Sequence, residues 1–357
     1  MKLAIFGGTF DPPHKGHSEI INAVSSEGLA DRFIVLPSGT PPHKSGVSSM
    51  ADRFEMARLA FGEKAEINAY EQNESLSYTA KTVKHFYEQT GEKNLLILGG
   101  DSVCGFTSWY RPDEIVRYAD VAYFEREGVS CDNAVEEIKR LFGVQFRRLP
   151  EKITHVSSTR LRTDFIFGKD VSDRVEPCVM EYIKQKGLYG EYNGIIERLR
   201  GTLKPSRYEH TYRVVLKALE MNAKIRLDRE KVVVACILHD CAKYLKAEDY
   251  GYIPPENMPD EVIHAFLGRI VAESDFGVTD GEILDAVKYH CTGRSNMTTL
   301  EKLVYVADYT EEGRGHFANE ARNAFETGGI NAAYEAAKRG TEKFLISQGK
   351  GVYRCEE

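Results

Sequence analysis

The chain of 357 residues has no hydrophobic run long enough to cross a bilayer. Its longest apolar stretch, Val232–Leu238, falls far short of the roughly 20 residues a spanning helix needs. None of the seven cysteines (104, 131, 178, 236, 241, 291 and 355) forms a C-x-x-C pair. That argues against a zinc ribbon and a disulfide framework and suits a reducing compartment. Neither charge sign dominates: 47 basic and 54 acidic residues leave a net charge of −7 and are interspersed, so nucleic acid is not expected as the main partner. MKLAIF runs directly into glycines, with no apolar core of a secretory leader. No low-complexity tract or internal repeat stands out. The expectation is a cytoplasmic protein without a membrane partner, with oligomeric state left open.

The length predicts two domains. In the first half, short β-type runs (LAIF, RFIVLP, NLLILGG, VAYFER) alternate with amphipathic stretches. That rhythm predicts βαβ units around a mostly parallel sheet, with ligands beyond the carboxyl ends of its strands. From about Gly194 onward the sequence reads as successive helices. The boundary is placed near residue 190, giving domains 1–190 and 191–357.

The first chemistry-bearing stretch is GGTFDPPHKGH, Gly7 to His17. His14 and His17 at i, i+3 are capable of sharing a metal, but a third ligand at typical spacing is missing. A phosphate grip uses more of the residues. Gly7 and Gly8 let the backbone approach an anion, the prolines help set where a helix starts, and that helix's first N–H groups are free donors. At such a helix start, both histidines donate to phosphoryl oxygens.

The stretch resembles the T/H-x-G-H signature of the nucleotidyltransferase superfamily. PSGTPPHK (37–44), ADRFEMA (51–57), SLSYTAKT (75–82), LGGDSVCGFTSWY (98–110) and VSSTRLR (156–162) are similar, in order, to nicotinate mononucleotide adenylyltransferases over about residues 1–190. The resemblance implies a Rossmann-like α/β domain that transfers AMP from ATP, with Mg²⁺, to nicotinate mononucleotide. It implies that Thr9, His14 and His17 embrace the ATP phosphates, with Gly7, Gly8, Phe10, Gly100 and Asp101 in the binding set. Ser157, Ser158, Thr159 and Arg162 would form a second phosphate and adenine wall. Trp109, the lone tryptophan, would stack on the nicotinate ring, with backbone near Thr79 and Tyr110 receiving its carboxylate. Lys44 has a charge suited to a phosphate. Lys81 stands where the family commonly has an acidic residue.

The second constellation is dispersed: His210, His239 followed by Asp240, His264, His290 and Asp308. A His-Asp-x-x-Lys sequence ending the apolar helix VVVACILHDCAKYL needs a reason, because an unpaired buried carboxylate is costly and a metal ion suits carboxylate and imidazole together. Lys243 is expected one turn after His239 on the same helix face. The order H…HD…H…H…D resembles HD-domain metallophosphohydrolases. RYEHTYRVV, ILHDCAK and YHCTGRSNMTTLEKLVYVADYTEEGR are similar to the bacterial family that splits diadenosine tetraphosphate into two ADP. Glu312 stands where that family usually has proline.

By that resemblance His210, His239, Asp240 and Asp308 bind a first metal, and His264 and His290 complete a second site bridged by Asp240. Lys243 and Arg314 would contact phosphate. Iron is implied, with manganese or zinc also compatible with these ligands. Two alternatives stand beside this bifunctional expectation. The first domain serves another phosphorylated acceptor, or the HD half hydrolyses other nucleotides or only binds them as a regulator.

Overall fold

The computed structural model describes residues 1–39, 47–73, 78–125, 130–149 and 156–353. Lys44, named above for phosphate, lies outside the described residues. The chain divides into two compact units, Met1–Tyr189 and Gly190–Glu357.

The first unit is built on six parallel strands in the order β3-β2-β1-β4-β5-β6. β1 (Leu3–Gly8), β2 (Arg32–Pro37), β4 (Asn94–Gly99) and β5 (Ala119–Phe124) are the four runs legible in sequence. β3 (Glu66–Ile67) and β6 (Arg147–Arg148) add two-residue edges too short for any periodic signal. Both faces are buried, which is why the inner strands are continuously apolar. In β1, Leu3 and Ile5 join one core with Val83, Phe86 and Ile138, while Ala4 and Phe6 join the other with Ile20, Ile21 and Phe61.

Helices α1 (Lys15–Ser26) and α2 (Met50–Phe61) supply the second of these cores, and α3 (Thr79–Thr90), α5 (Pro112–Tyr118) and α6 (Asp132–Phe142) the first. The short α4 (Gly100–Cys104) follows β4 directly, and α7 (Ser158–Ile166) and α8 (Pro177–Lys186) complete the unit. From β1 the chain steps outward to β2, and from β4 it steps the other way to β5. The switch point therefore lies between β1 and β4, the position where open α/β sheets bind ligands.

The second unit is helical: α9 (Asn193–Thr202), α10 (Pro205–Ile225), α11 (Arg229–Leu238), α12 (Asp260–Ser274), α13 (Gly281–Tyr289), α14 (Thr299–Thr310) and α15 (Asn319–Ser347), the last broken at Gly329 with φ +70°. Starts are set by local chemistry. Asp228 accepts the N–H groups of Glu230 and Lys231, Asp280 those of Glu282 and Ile283, and Thr298 with Glu301 forms a reciprocal capping box. Helix α11 stops earlier than the apolar pattern suggests. From His239 the chain continues in tight turns, with Cys241 N–H donating to Leu238 O at 3.0 Å and Lys243 N–H to Asp240 O at 3.0 Å. Lys243 is thus not one helical turn along a shared face, and its amine reaches His264 instead, 3.2 Å from Nε2. Among the described residues no helix is long and apolar enough to cross a membrane.

Candidate active sites

Where β1 ends, Gly7 is exposed, and a Cβ added there would meet nothing within 4 Å. At Gly8 an added Cβ would lie 2.8 Å from the Phe10 ring, so glycine lets that ring fold beneath the strand end. Phe10, at φ +50°, is buried against Phe6, Phe61 and His17. The Phe10 side chain is therefore core, and a ligand contact by this residue would be made by its main chain.

His14 caps α1 and His17 occupies its third position. The His14 N–H donates to His17 Nδ1 at 3.2 Å, and the His17 N–H to His14 O at 2.8 Å. Because Nδ1 of His17 accepts, a neutral His17 carries its proton on Nε2. The two rings stack with centroids 3.6 Å apart and planes at 21°. The expectation that the first N–H groups of this helix are all free is corrected: Lys15 N–H is taken by Arg174 O at 2.9 Å.

The loop between β1 and α1 is fixed by residues that sequence reasoning gave no role. Arg53, 2% exposed, donates to the carbonyls of Thr9, Ser38, Gly39 and Ser48. Burial holds its guanidinium below the ordinary arginine value. Asp11, fully buried, accepts from Tyr189 Oη at 2.7 Å and from Ser48 N–H at 3.2 Å. The ADRFEMA stretch carries Arg53, but a single arginine on a helix gives no sign of reaching four carbonyls.

Helix α7 brings the SSTRLR segment against this loop. Ser157 caps it, Ser158 Oγ donates to Pro12 O at 3.1 Å, and Arg162 donates to Asp11 O at 2.6 Å and to Thr159 Oγ1 at 3.3 Å. Arg162 thus also holds the loop. On the other side of the switch point, Gly100 and Asp101 open α4 after β4. Thr79 is the first residue of α3, and Tyr78 before it packs against Tyr110 with ring centroids 4.6 Å apart. Lys81 lies over the Tyr78 ring. Trp109 is half-buried on Phe106.

In the helical unit the dispersed ligands converge. His210 comes from α10, His239 and Asp240 from the end of α11, His264 from α12, His290 from the end of α13 and Asp308 from α14. His210 Nε2 is 2.9 Å from Asp308 Oδ1 and 3.4 Å from His239 Nε2. Asp240 divides its oxygens. Oδ2 is 3.3 Å from His239 Nε2, and Oδ1 is 3.0 Å from His264 Nε2 and 3.6 Å from His290 Nε2.

Three imidazoles are oriented from behind. His239 Nδ1 pairs with Cys236 O and His290 Nδ1 with Val287 O, both at 2.7 Å, while His210 Nδ1 pairs with Glu311 Oε1 at 3.2 Å. With Nδ1–H donated outward, each Nε2 lone pair faces the cluster, the arrangement that prepares histidine for a metal. His210, His239 and Asp308 form one close donor group, and His264, His290 and Cys291 another. The donor set fits divalent transition metals.

The charges agree with this reading. Although burial opposes it, Asp240 is held well below the usual carboxylate range by the imidazoles, and Asp308 likewise by His210 and Arg314. Glu311, against burial, is brought to about 2 by His210 and Arg213. Burial pushes the Cys291 thiol up, but His290 and His264 bring it to about 6. Arg207 donates to Asp240 Oδ2, and Arg314 to Asp308. Arg207, Glu311 and Cys291 were missed in sequence. Only Cys291 carried a signal, standing directly after His290.

The fold and the two clusters define a Rossmann-like nucleotidyltransferase unit followed by a helical HD unit. Residues 5–164 match the cytidylyltransferase-like family and residues 207–313 the HD domain. A probable nicotinate-nucleotide adenylyltransferase of Caldicellulosiruptor saccharolyticus is 36% identical over 197 residues, 54% of this chain and 100% of that one. One from Neisseria meningitidis serogroup B is 34% identical over 198 residues, 53% and 98% of the two chains. Over its N-terminal half the chain belongs to the nicotinate-nucleotide adenylyltransferase family. A solved structure from Clostridium acetobutylicum, described as a predicted HD superfamily hydrolase involved in NAD metabolism, is 33% identical, with a TM-score of 0.42, covering 46% of this chain and 91% of its own.

Proposed function

We propose that the chain is a bifunctional enzyme. Its domain 1–190 transfers AMP from ATP to nicotinate mononucleotide, releasing pyrophosphate and forming deamido-NAD, and its domain 191–357 hydrolyses diadenosine tetraphosphate symmetrically to two ADP. Family membership over the whole length of the adenylyltransferase relatives supports the first activity. The acceptor's 5′-phosphate is already ionised at neutral pH, so the reaction needs alignment and charge stabilisation more than a base. An oxygen of that phosphate attacks the α-phosphorus of ATP as the bond to the β-phosphate breaks. His14 and the Nε2–H of His17 donate to phosphoryl oxygens, near Gly7, Gly8 and Thr9. Ser157, Ser158, Thr159 and Arg162 complete the nucleotide wall. Trp109, Thr79 and Tyr110 take the nicotinate end, and Gly100 and Asp101 lie beyond β4.

The observation that supports metal-dependent hydrolysis by the second domain is the division of Asp240, with one oxygen toward each histidine group; the choice of diadenosine tetraphosphate as substrate rests on the motif resemblance. His210, His239, Asp308 and Asp240 Oδ2 would hold one ion, and His264, His290 and Asp240 Oδ1 another. Bound divalent ions supply Lewis-acid polarisation of phosphoryl oxygens and activation of water. Lys243 and Arg314, at the edge of the cluster, offer positive charge to a polyphosphate.

The test uses the full chain. With ATP and Mg²⁺, pyrophosphate release is measured over a panel of phosphorylated acceptors, and a preference for anything but nicotinate mononucleotide overturns the first assignment. Diadenosine tetraphosphate is then supplied with and without chelator. Two ADP, lost on chelation, support the second assignment, whereas ATP with AMP, or no turnover in a metal-loaded protein, overturns it.

A further inference from the structure

The second histidine group contains a donor outside the imidazole–carboxylate pattern. Cys291 Sγ lies 3.1 Å from His290 Nε2 and 3.5 Å from His264 Nε2. Asp240 Oδ1 reaches the same two nitrogens at 3.6 and 3.0 Å. Metal bonds of about 2.0–2.2 Å to nitrogen or carboxylate oxygen, and about 2.3 Å to thiolate, put neighbouring donors of a tetrahedral ion roughly 3.3–3.6 Å apart. Two of the four separations, 3.5 and 3.6 Å, fall in that range, and the other two, 3.1 and 3.0 Å, lie slightly short of it.

The local fold aims the sulfur. His290 ends α13 with Nδ1 anchored on Val287 O. Two residues after Cys291, Gly293 at φ +63° returns its N–H to Tyr289 O at 2.9 Å. Cys291 therefore projects from a tight turn whose preceding residue is itself a candidate ligand.

We propose that the second metal position is a four-donor site formed by His264 Nε2, His290 Nε2, Asp240 Oδ1 and the thiolate of Cys291. This rests on the metal-centre reading above and deepens it. The two positions sharing Asp240 are then chemically unequal. The first offers two imidazoles and two carboxylates, whereas the second carries a soft sulfur, which selects zinc, cobalt or ferrous iron over magnesium or manganese. In a chain holding both, the sulfur-bearing position takes the softer ion.

The experiment is absorption spectroscopy of the full chain, stripped with chelator and titrated with Co²⁺. Visible ligand-field bands report cobalt bound by nitrogen and oxygen, and a near-ultraviolet thiolate-to-cobalt charge-transfer band reports the sulfur. The wild type is expected to show both, saturating at two ions per chain. Cys291→Ser should retain visible bands, lose the near-ultraviolet band and bind its second zinc more weakly by at least about tenfold, the lower bound seen when even an outer partner of a metal ligand is removed. Visible bands without a near-ultraviolet band in the wild type would overturn the proposal and leave the metal centre standing. A near-ultraviolet band that survives in Cys291→Ser would overturn it by assigning the thiolate to another cysteine. No bands, with no bound ion by elemental analysis, would remove the metal-centre reading and the proposal together. If Cys291→Ser folds poorly, Cys291→Ala makes the same assignment, and a wild-type spectrum without the near-ultraviolet band overturns the proposal whatever either variant does.

Discussion

Arg207 donates from Nη1 to Asp240 Oδ2 at 2.7 Å, placing a guanidinium on the carboxylate oxygen that faces His239 and His210. Asp240 is 2% exposed, so in metal-free protein the Arg207 hydrogen bond adds to the compensation that the surrounding imidazoles supply. Arg207→Met should destabilise the chelated helical unit by about 1.5–3 kcal/mol, the range for a hydrogen bond to a charged group. The lower end is expected because the arginine side chain is 27% exposed. For a unit of this size that shifts its melting temperature down by roughly 3–12 °C. Once a divalent ion is bound, the ion takes over the neutralisation and the deficit should shrink. Thermal melts with and without chelator check this, and an equal drop in both conditions contradicts it.

His17 has two separable duties. Its Nδ1 accepts the His14 N–H, and under the proposed function its Nε2 donates to a phosphoryl oxygen. His17→Ala should slow adenylyl transfer by about 100- to 1000-fold, the loss typical of removing one transition-state donor. It should also cost about 0.5–2 kcal/mol through the lost cap. His17→Asn keeps a short acceptor near the His14 N–H, so it should recover most of the stability and little of the rate. Hydrolysis at the HD centre should be unaffected by either change. Single-turnover kinetics with equilibrium unfolding separates the two effects, and a full recovery of rate in His17→Asn would show that His17 acts only as a cap.

Arg53 and the two histidine groups mark what was and was not legible in the sequence. The parallel sheet and the order of metal-type residues were readable because strand runs, helix periodicity and the H…HD…H…H…D order are written along the chain. The helix start at His14 was readable for the same reason. Arg53, Arg207 and Glu311 were not, because each acts through partners many residues away: Arg53 on Thr9, Arg207 on Asp240, Glu311 on His210. For Phe10, motif membership did not say whether the ring or the backbone faces a ligand, and the fold buries the ring. Lys243 misled because apolar periodicity runs on past Leu238, whereas the backbone turns to bring Asp240 and Lys243 round.

Arg53 spans four carbonyls with one planar fork. Lysine has a compact ammonium that cannot reach all of them. Arg53→Lys should therefore destabilise the first unit by about 2–5 kcal/mol, leaving buried acceptors unpaired at about 1–3 kcal/mol each, partly relieved by water. Adenylyl transfer should fall with it because the Thr9 carbonyl loses its anchor, while the hydrolysis proposed for the helical unit should persist at temperatures where that unit stays folded. Denaturant unfolding alongside both assays checks this, and an unchanged unfolding midpoint would show that the loop holds itself.

Tyr189 gives the first unit an alkaline limit. Burial raises its phenol well above the ordinary value of 10, and the Asp11 carboxylate accepting its hydrogen bond raises it further. The folded state therefore keeps the proton at pH values where the unfolded chain has released it. The stabilisation is complete below about pH 10 and declines as pH rises above that toward the folded value, by up to about 1.4 kcal/mol per pH unit for one group. Tyr189→Phe removes this slope. It also leaves Asp11 Oδ1 without its phenol donor, so the variant should be less stable by about 1–3 kcal/mol near neutrality. Its stability curve should then run flatter from pH 10 to 11 than that of the wild type. Urea unfolding at intervals from pH 7 to pH 11 measures both effects, and parallel wild-type and variant curves above pH 10 would assign the alkaline loss to other groups.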